Sequence, residues 1–200
     1  LVESPDDEII LIAPFFPEYT VFVQNANAKS VVLPPDTEHF QISLDALEKA
    51  ITPHTRAVII NSPNNPSGVV YSADTYEKLA ALLTRKSQEI GHAIYIISDE
   101  PYREIIYDGL PILYVPKFYK DTIICYSYSK SLSLPGERIG YVLVPDCAAD
   151  AKEVYTAVCG AGRSMGFVCA PHLFQDVVLK CLGQTSDMNI YDENRMLLYN

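Results

Sequence analysis

The strongest constraint on the fold is an alternation, along most of the chain, between short apolar runs and longer amphipathic segments. Runs that are apolar on both faces are typical of strands in a parallel sheet that helices cover on both sides. The chain is therefore predicted to be an α/β protein, a three-layer α/β/α sandwich with a mostly parallel sheet. The predicted strands are Glu8–Ala13, Ser30–Leu33, Arg56–Asn61, Ala93–Ser98, Thr122–Tyr126 and Ile139–Val144.

The amphipathic segments predict the helices. Ser43–Ile51 has a serine that can cap the first turn and apolar residues on one face. A longer helix is predicted over Ser72–Ile90, with Ser72 as its N-cap and Gly91 ending it. From Asp146 onward the pattern is mostly helical, with a glycine-rich break at Gly160–Gly166.

Composition and charge exclude several kinds of protein. Apolar residues make up 48% and charged residues 20% of the 200 residues, close to the globular average, which disfavours disorder and coiled coils. The net charge of −10 disfavours nucleic acid or an anionic membrane as the main partner. The longest uncharged stretch, Ala57–Ala73, contains Asn and Pro and does not suit a bilayer, so a cytoplasmic protein is expected.

Cysteines and histidines show no metal-binding pattern. The five cysteines include no Cys-x-x-Cys pair, and the four histidines are scattered. We expect free thiols, a reducing compartment and no metal site. The chain starts at Leu1 and stops inside a helix-like run, Asn194–Asn200, so we also expect a piece of a longer protein.

Polar motifs follow three of the predicted strands at their carboxyl ends, where open α/β sheets bind ligands. These motifs are Ser62–Gly68 (SPNNPSG), Asp99–Tyr102 (DEPY) and Ser127–Lys130 (SYSK), the last followed by Arg138. Taken singly, each motif also has a structural interpretation. SPNNPSG can be a tight turn, Asp99 can be a helix cap or a solvated strand end, and Lys130 can be a solvated lysine in a loop.

Taken together, the motifs contain the groups that pyridoxal 5′-phosphate (PLP) requires. Asp99 would face a cationic ring nitrogen, because a carboxylate at a buried strand end needs a cation or a donor. Ser hydroxyls with Arg138 would form a phosphate clamp. Lys130 would supply the amine for an aldehyde.

The sequence resembles the class I/II aminotransferases of the aspartate aminotransferase superfamily, fold type I of the PLP enzymes. SPNNPSG is similar to the family motif N-P-x-N-P-[T/S]-G, although Ser62 stands where the family has Asn. DEPY is similar to D-x-x-Y, and SYSK with Arg138-Ile139-Gly140 is similar to S-x-S-K followed by R-x-G. The resemblance spans essentially the whole chain.

The resemblance implies catalytic roles for Lys130, Asp99 and Tyr102. Lys130 would form the internal aldimine with PLP and, once displaced by the substrate, would move the proton. Asp99 would keep the pyridine nitrogen protonated. Asn65 and Tyr102 would hydrogen-bond the ring oxygen.

The remaining cofactor-binding residues would hold the phosphate and the ring. Ser127 and Arg138 match the phosphate-binding positions, and Ser129 is a weaker candidate. Phe16 matches the aromatic residue that stacks on the ring, with Tyr19 as the second choice. By composition alone, Phe16 is better explained as an ordinary core aromatic.

The resemblance also implies what lies outside the chain. Residues 1–185 would be a PLP-binding large domain that lacks part of its N-terminal side, and residues 186–200 a helix leading toward an absent C-terminal small domain. We therefore expect an aminotransferase that moves an amino group between an amino acid and a 2-oxo acid, a homodimer when full-length, and a chain not fully active alone.

Three alternatives remain open from the sequence. The same scaffold supports a PLP-dependent C–S β-lyase or an enzyme similar to aminocyclopropane-carboxylate synthase, since these chemistries share the lysine and the aspartate. A non-catalytic PLP-sensing domain of a regulator is the second alternative. A nucleotide-binding dehydrogenase is disfavoured because no Gly-x-Gly-x-x-Gly follows the early strands.

Overall fold

The computed structural model describes residues 1–184 and 187–199. Its strands form one sheet in the order β2-β1-β3-β4-β5-β6. The first five strands pair in parallel, and β6 runs antiparallel to β5. The mostly parallel sheet predicted from the sequence is thus confirmed. The strands are β1 (Glu8–Ile12), β2 (Lys29–Leu33), β3 (Thr55–Asn61), β4 (Tyr95–Asp99), β5 (Thr122–Ser127) and β6 (Gly140–Leu143).

α-Helices connect the first four strands in turn, and a short 3-10 helix, Val115–Lys117, lies between β4 and β5. Further α-helices follow β5 and β6. The longest is α3, which begins at the predicted cap: the Ser72 hydroxyl accepts a hydrogen bond from the Thr75 amide at 3.1 Å. Gly91 ends it in the left-handed region, at φ 85°, which glycine adopts without steric cost. The helices are α1 (Glu18–Asn25), α2 (Leu44–Ala50), α3 (Ala73–Ile90), α4 (Tyr128–Ser131), α5 (Ala151–Ser164), α6 (His172–Lys180) and α7 (Met188–Tyr199).

Two hydrophobic cores lie on opposite faces of the sheet, because successive strand side chains point to opposite sides. Ile10 of β1 packs with Leu79 of α3 on one face. Ile9 of β1 packs with Val23 of α1 and Val154 of α5 on the other. Burying such a side chain contributes about 1.5–3 kcal/mol. The arrangement confirms the predicted three-layer α/β/α sandwich.

Two features of the helices differ from the sequence prediction. Helix α1 was not predicted, because its N-cap is Pro17, which makes no side-chain cap hydrogen bond, and because β-branched Val21 and Val23 weaken the helical signal. The predicted break at Gly160–Gly166 was wrong in extent: α5 continues through Gly160 to Ser164. A glycine costs a helix only about 1 kcal/mol relative to alanine, so packing overrides it.

The helices after residue 164 bury little of their surface. No described residue of α6 or α7 is buried, and Leu173, Leu179 and Leu197 are 68%, 65% and 77% exposed. The predicted domain boundary at 185/186 lies outside the described residues, as does residue 200, and stays a prediction. Among residues 1–184 and 187–199, no helix is long and apolar enough to cross a membrane.

Candidate active site

A cavity of about 570 Å³ opens at the carboxyl ends of β3, β4 and β5. Parallel α/β sheets bind their ligands at this edge, and the volume lies in the usual range of about 300–1,000 Å³ for small-molecule sites. The structure brings every predicted site residue to this one cavity. These residues are Phe16, Asn65, Asp99, Tyr102, Ser127, Ser129, Lys130 and Arg138.

Strand register explains why residues from three distant motifs meet. Asn61, the last residue of β3, lies opposite Asp99, the last residue of β4. Asp99 in turn lies opposite Cys125 of β5. The carboxyl ends of β3 and β4 therefore lie at the same level of the sheet, and β5 extends two residues further to Ser127. The polar side chains that follow the three strands share the space above this edge.

Asp99 is the half-buried acid of the cavity. The Tyr19 hydroxyl donates a hydrogen bond to Asp99 Oδ2 at 2.5 Å. Burial raises the pKa of Asp99 above its ordinary value, and the hydrogen bond from Tyr19 opposes that shift. Among the described residues, no lysine, arginine or histidine forms an ion pair with Asp99, so its carboxylate faces the cavity without a paired cation.

Tyr19 and Phe16 occupy different positions at the cavity wall. Tyr19 is only 5% exposed, and burial followed by the nearby Asp99 charge raises its pKa, which keeps the hydroxyl protonated as a donor. Phe16 meets Tyr19 edge to face, with ring centroids 5.8 Å apart. The contact of Tyr19 with Asp99 is a role that sequence reasoning did not anticipate.

Asn61 supports the SPNNPSG motif from the end of β3. Its Nδ2 donates to the backbone oxygen of Asp99 at 2.8 Å, and its Oδ1 accepts from the Asn65 amide at 2.6 Å. Burial, followed by the Asp99 charge, raises the pKa of Tyr102, and a hydrogen bond with the Asn65 side chain opposes this. Sequence reasoning missed Asn61, although its place at a strand's carboxyl end was a usable signal.

Lys130 lies on the short helix α4 directly after β5, where a loop was expected from the sequence. Ser127 is the N-cap of this helix, and its hydroxyl accepts from the Ser129 amide at 3.4 Å. Lys130 is exposed toward the cavity, with Nζ 5.7 Å from the Tyr102 ring centroid. An amine in this position is accessible to a ligand inside the cavity.

Arg138 reaches the cavity from the loop before β6. Its backbone has φ 51°, an uncommon conformation for a residue other than glycine, and Nη1 donates to the Pro135 oxygen at 2.6 Å.

Gly140, two residues after Arg138, is the first residue of β6. A Cβ there would collide with the backbone oxygen of Tyr126, so the close approach of β5 and β6 requires glycine.

The cavity also contains a thiol that the sequence did not single out. Cys125 lines it beside Asp99, and burial raises the pKa of this thiol to about 12, so the thiol is neutral at physiological pH.

Across the described residues, no group of His, Cys, Asp and Glu side chains is arranged to hold a metal ion. The ionic chemistry of the cavity rests on Asp99, Lys130 and Arg138.

Solved structures share this architecture. An amino transferase from Eubacterium rectale is 64% identical, with a TM-score of 0.96 over 100% of this chain and 50% of that one. A tetra mutant of Thermus thermophilus aspartate aminotransferase is 30% identical, with a TM-score of 0.78 over 90% of this chain and 47% of that one. Fold and cavity together define an α/β protein of the aminotransferase structural class.

The family model for aminotransferase class I and II matches residues 1–197, and the chain belongs to this family. The aspartate/prephenate aminotransferase of Nitrosomonas europaea is 38% identical over 75% of this chain and 38% of its own length. Aromatic-amino-acid aminotransferase 2 of Thermococcus litoralis is 33% identical over 77% of this chain and 40% of its own length. The chain thus spans half or less of the length of each of these four proteins.

Proposed function

We propose that the protein is a PLP-dependent aminotransferase that moves an amino group between an amino acid and a 2-oxo acid. One observation carries the proposal: an amine, a half-buried carboxylate and a guanidinium line a single cavity at the carboxyl edge of a parallel sheet. PLP, the usual cofactor of this family, supplies an aldehyde for the amine and a ring that withdraws electrons from the substrate.

The residues of the cavity fit this cofactor. Asp99 is a half-buried carboxylate that has one hydrogen bond from Tyr19 and no cationic partner among the described residues. A protonated ring nitrogen would supply the missing positive charge. Because an uncompensated carboxylate is costly in a buried site, the cavity is better suited to a cationic group at this point than to an apolar one.

We propose that Lys130 is the residue that bonds PLP and moves the proton. Its Nζ is exposed to the cavity and lies beside the Tyr102 ring. Its Nζ would hold the aldehyde of the cofactor and, when free, would accept the proton of the substrate Cα and donate one back. Tyr102 and Asn65, which are joined by a side-chain hydrogen bond, orient the ring oxygen from one side of the cavity.

Phosphate binding is assigned to Ser127, Ser129 and Arg138. All three line the cavity near Lys130, and an arginine can bind phosphate oxygens in bidentate fashion. Phe16 is the proposed stacking residue for the ring, since it lines the cavity while Tyr19 is engaged with Asp99. Charge, stacking and covalent bonding would together fix one orientation of the cofactor.

Transamination is favoured over the other PLP chemistries by the names of the relatives. Aspartate, aspartate/prephenate and aromatic-amino-acid aminotransferases are among the proteins that match. Neither the C–S β-lyase, the aminocyclopropane-carboxylate-synthase-like enzyme nor the PLP-sensing regulator is favoured by these matches. The proposed substrates are accordingly an amino acid and a 2-oxo acid.

We propose a homodimer and a cytoplasmic location for the full-length protein. Large apolar side chains are exposed after residue 164, including Val168 at 73% and Leu173 at 68%, which is typical of a surface that another chain covers. All five cysteines are free, as expected in a reducing compartment. Light scattering after size-exclusion chromatography of the full-length protein tests the dimer.

The test of the proposed function is an assay of the full-length protein with PLP, a panel of amino donors and 2-oxoglutarate. We expect formation of glutamate, abolished by Lys130→Ala and retained by Lys117→Ala, which removes an exposed lysine that does not line the cavity. Release of pyruvate and ammonia from cystathionine without an oxo-acid acceptor would instead identify a β-lyase. PLP binding without turnover of any donor would favour the regulator.

A further inference from the structure

A network of charged and aromatic side chains lies behind the cavity, on the reverse side of the ends of β4 and β5. Adjacent residues of a strand point to opposite faces, so the neighbours of cavity-lining residues point away from the cavity. Asp99 and Ser127 line the cavity, whereas Glu100 and Tyr126 line other surfaces. The reverse side is therefore built from residues interleaved with the proposed catalytic ones.

Arg103 is the centre of this network. Its guanidinium carbon lies 4.4 Å from the centroid of the Tyr126 ring, and Nη2 donates to the Tyr141 hydroxyl at 3.1 Å. It also forms ion pairs with Glu100 and Glu104, both at 3.4 Å. A planar guanidinium can stack on a ring and donate through five N–H groups in a fixed fork, whereas a lysine ammonium is a compact charge without a planar face.

The partners of Arg103 are themselves held in place. Glu100 is 3% exposed and accepts a hydrogen bond from the Ser98 hydroxyl at 2.8 Å. Tyr141 of β6 stacks on Tyr126 of β5, with ring centroids 5.0 Å apart and an interplanar angle of 27°. The five residues Glu100, Arg103, Glu104, Tyr126 and Tyr141 form one continuous unit, called here the reverse-side brace.

The brace connects to the helix that carries Lys130. The Tyr126 hydroxyl donates to Glu104 Oε2 at 2.9 Å and lies 2.7 Å from the Ser131 hydroxyl. Because the single phenolic proton is directed to Glu104, Ser131 is the donor in the second hydrogen bond. Ser131 is the last residue of α4 and follows Lys130, and α4 buries none of its own residues.

We propose that Arg103 is a positioning residue, which through Tyr126 and Ser131 fixes the short helix α4 and so the place of Lys130 in the cavity. The catalytic meaning of this proposal rests on the proposed function, but the mechanical link between Arg103 and α4 does not. Helix α4 is also held by the Tyr128 amide, which donates to the Ile139 oxygen at 3.1 Å, and by the Tyr128 ring, which meets the Tyr126 and Tyr141 rings of the brace edge to face. Because the ring contacts and the Ser131 hydrogen bond all lead to the brace, its loss should loosen α4 selectively.

Amide hydrogen exchange of the full-length protein without PLP tests the mechanical link. The variants are Arg103→Met and, as a matched control, Arg85→Met, which removes an arginine paired with Glu48 and Glu89 on α3. We expect Arg103→Met to speed exchange in residues 127–134 by about tenfold, since hydrogen bonds to a charged group are lost, with β1 and α3 unchanged. Exchange in 127–134 equal to that of the wild type, or faster exchange throughout the protein, would overturn the proposal.

Arg103→Lys keeps the charge but not the planar fork, and serves where the methionine variant fails to fold. Because an ammonium cannot both stack on Tyr126 and reach the other partners, we expect exchange in 127–134 between that of the wild type and that of Arg103→Met. Tyr126→Phe, which removes only the hydroxyl that meets Ser131, should reproduce a part of the effect. Wild-type exchange in both of these variants would contradict the role of the brace.

The catalytic consequence is measured in the same variants with PLP. We expect Arg103→Met to shift the midpoint of the pH titration of the visible absorption of bound PLP and to lower kcat more than it raises KM. If the wild type bonds PLP at Lys130 but Arg103→Met has the same titration midpoint and the same kcat as the wild type, the positioning role of Arg103 is contradicted and the proposed function is not. A wild type that does not bond PLP at Lys130 would defeat the proposed function, while the exchange experiment would still decide whether Arg103 holds α4.

Discussion

Asp99 and Glu100 are adjacent carboxylates whose surroundings differ. Burial raises the pKa of both. Asp99, on the cavity side, receives a hydrogen bond from the neutral Tyr19 hydroxyl. Glu100, on the reverse side, is paired with the Arg103 guanidinium and the Ser98 hydroxyl.

The difference shows how one edge of the sheet serves two purposes. On the reverse side, charges are paired within the protein, which is what a structural network requires. On the cavity side, the protein leaves a carboxylate without a cation among the described residues, and keeps Lys130 and Arg138 exposed. A group that brings both a cation and an anion would complete the cavity side, and PLP brings a protonated nitrogen and a phosphate.

The largest expected effect is that of Asp99→Asn on amino transfer. Loss of the negative charge beside the proposed ring nitrogen is expected to lower kcat/KM of the PLP-loaded full-length protein by on the order of a thousandfold. Glu100→Gln touches no proposed ligand and is expected to cost about tenfold or less. Equal losses in the two variants, measured by steady-state kinetics, would remove the distinction between the two sides.

Arg138→Met is expected to weaken PLP binding by about tenfold to a hundredfold, because one charge-assisted contact to a phosphate is lost. The loss should be measured as a dissociation constant by fluorescence titration of the full-length protein. Arg85→Met, on the outer surface of α3, serves as the control for removal of an arginine charge. Unchanged affinity in Arg138→Met would show that the phosphate lies elsewhere.

Gly140→Ala tests the packing on which the reverse side depends. The added Cβ would collide with the backbone oxygen of Tyr126, so we expect the free energy of unfolding to fall by about 1–3 kcal/mol. Gly136, in the loop that precedes β6, has open space around its Cβ position, and Gly136→Ala should change stability by about 0.5 kcal/mol or less. Chemical denaturation measures the free energy of unfolding of both variants. A Gly140→Ala variant as stable as the wild type would be inconsistent with the close approach of β5 and β6.

The smallest expected effect is a change in how stability depends on pH without PLP. Since the pKa of folded Asp99 lies above its ordinary value of 3.8, its contribution to stability is present below pH 3.8 and is lost as the pH rises through the raised pKa. Because Asn cannot ionise, Asp99→Asn avoids this loss, and at pH 7 we expect its melting temperature to lie roughly a few degrees above that of the wild type. Calorimetry measures both melting temperatures, and with PLP added the wild type should melt above the variant. If Asp99→Asn is less stable than the wild type without PLP, the Asp99 carboxylate does not destabilise the protein at pH 7.

The layers of the fold were predictable because they follow from local patterns. Strands apolar on both faces indicated a covered parallel sheet, and the Ser72 cap and Gly91 C-cap placed α3 correctly. Helix α1 was missed because its N-cap, Pro17, has no capping side chain and two β-branched valines weaken the helical pattern. The antiparallel direction of β6 was also beyond local reasoning, since strand direction depends on the path of the whole chain.

The site was predictable as a set of residues but not as a set of contacts. The three motifs placed Asn65, Asp99 and Lys130 at strand ends, and the structure brings them to one cavity. The hydrogen bond of Tyr19 with Asp99 joins residues 80 positions apart, and the ion pairs of Arg103 depend on side-chain directions. Neither leaves a periodic signal in the sequence, so only the folded chain reveals them.

The most direct test of the proposed function is the location of bound PLP on the polypeptide. The full-length protein is incubated with PLP, reduced with borohydride, digested and analysed by mass spectrometry. We expect stoichiometric labelling of the peptide that contains Lys130, and no stoichiometric labelling in Lys130→Ala. Labelling spread over surface lysines, or labelling that is unchanged in Lys130→Ala, would contradict the proposed function.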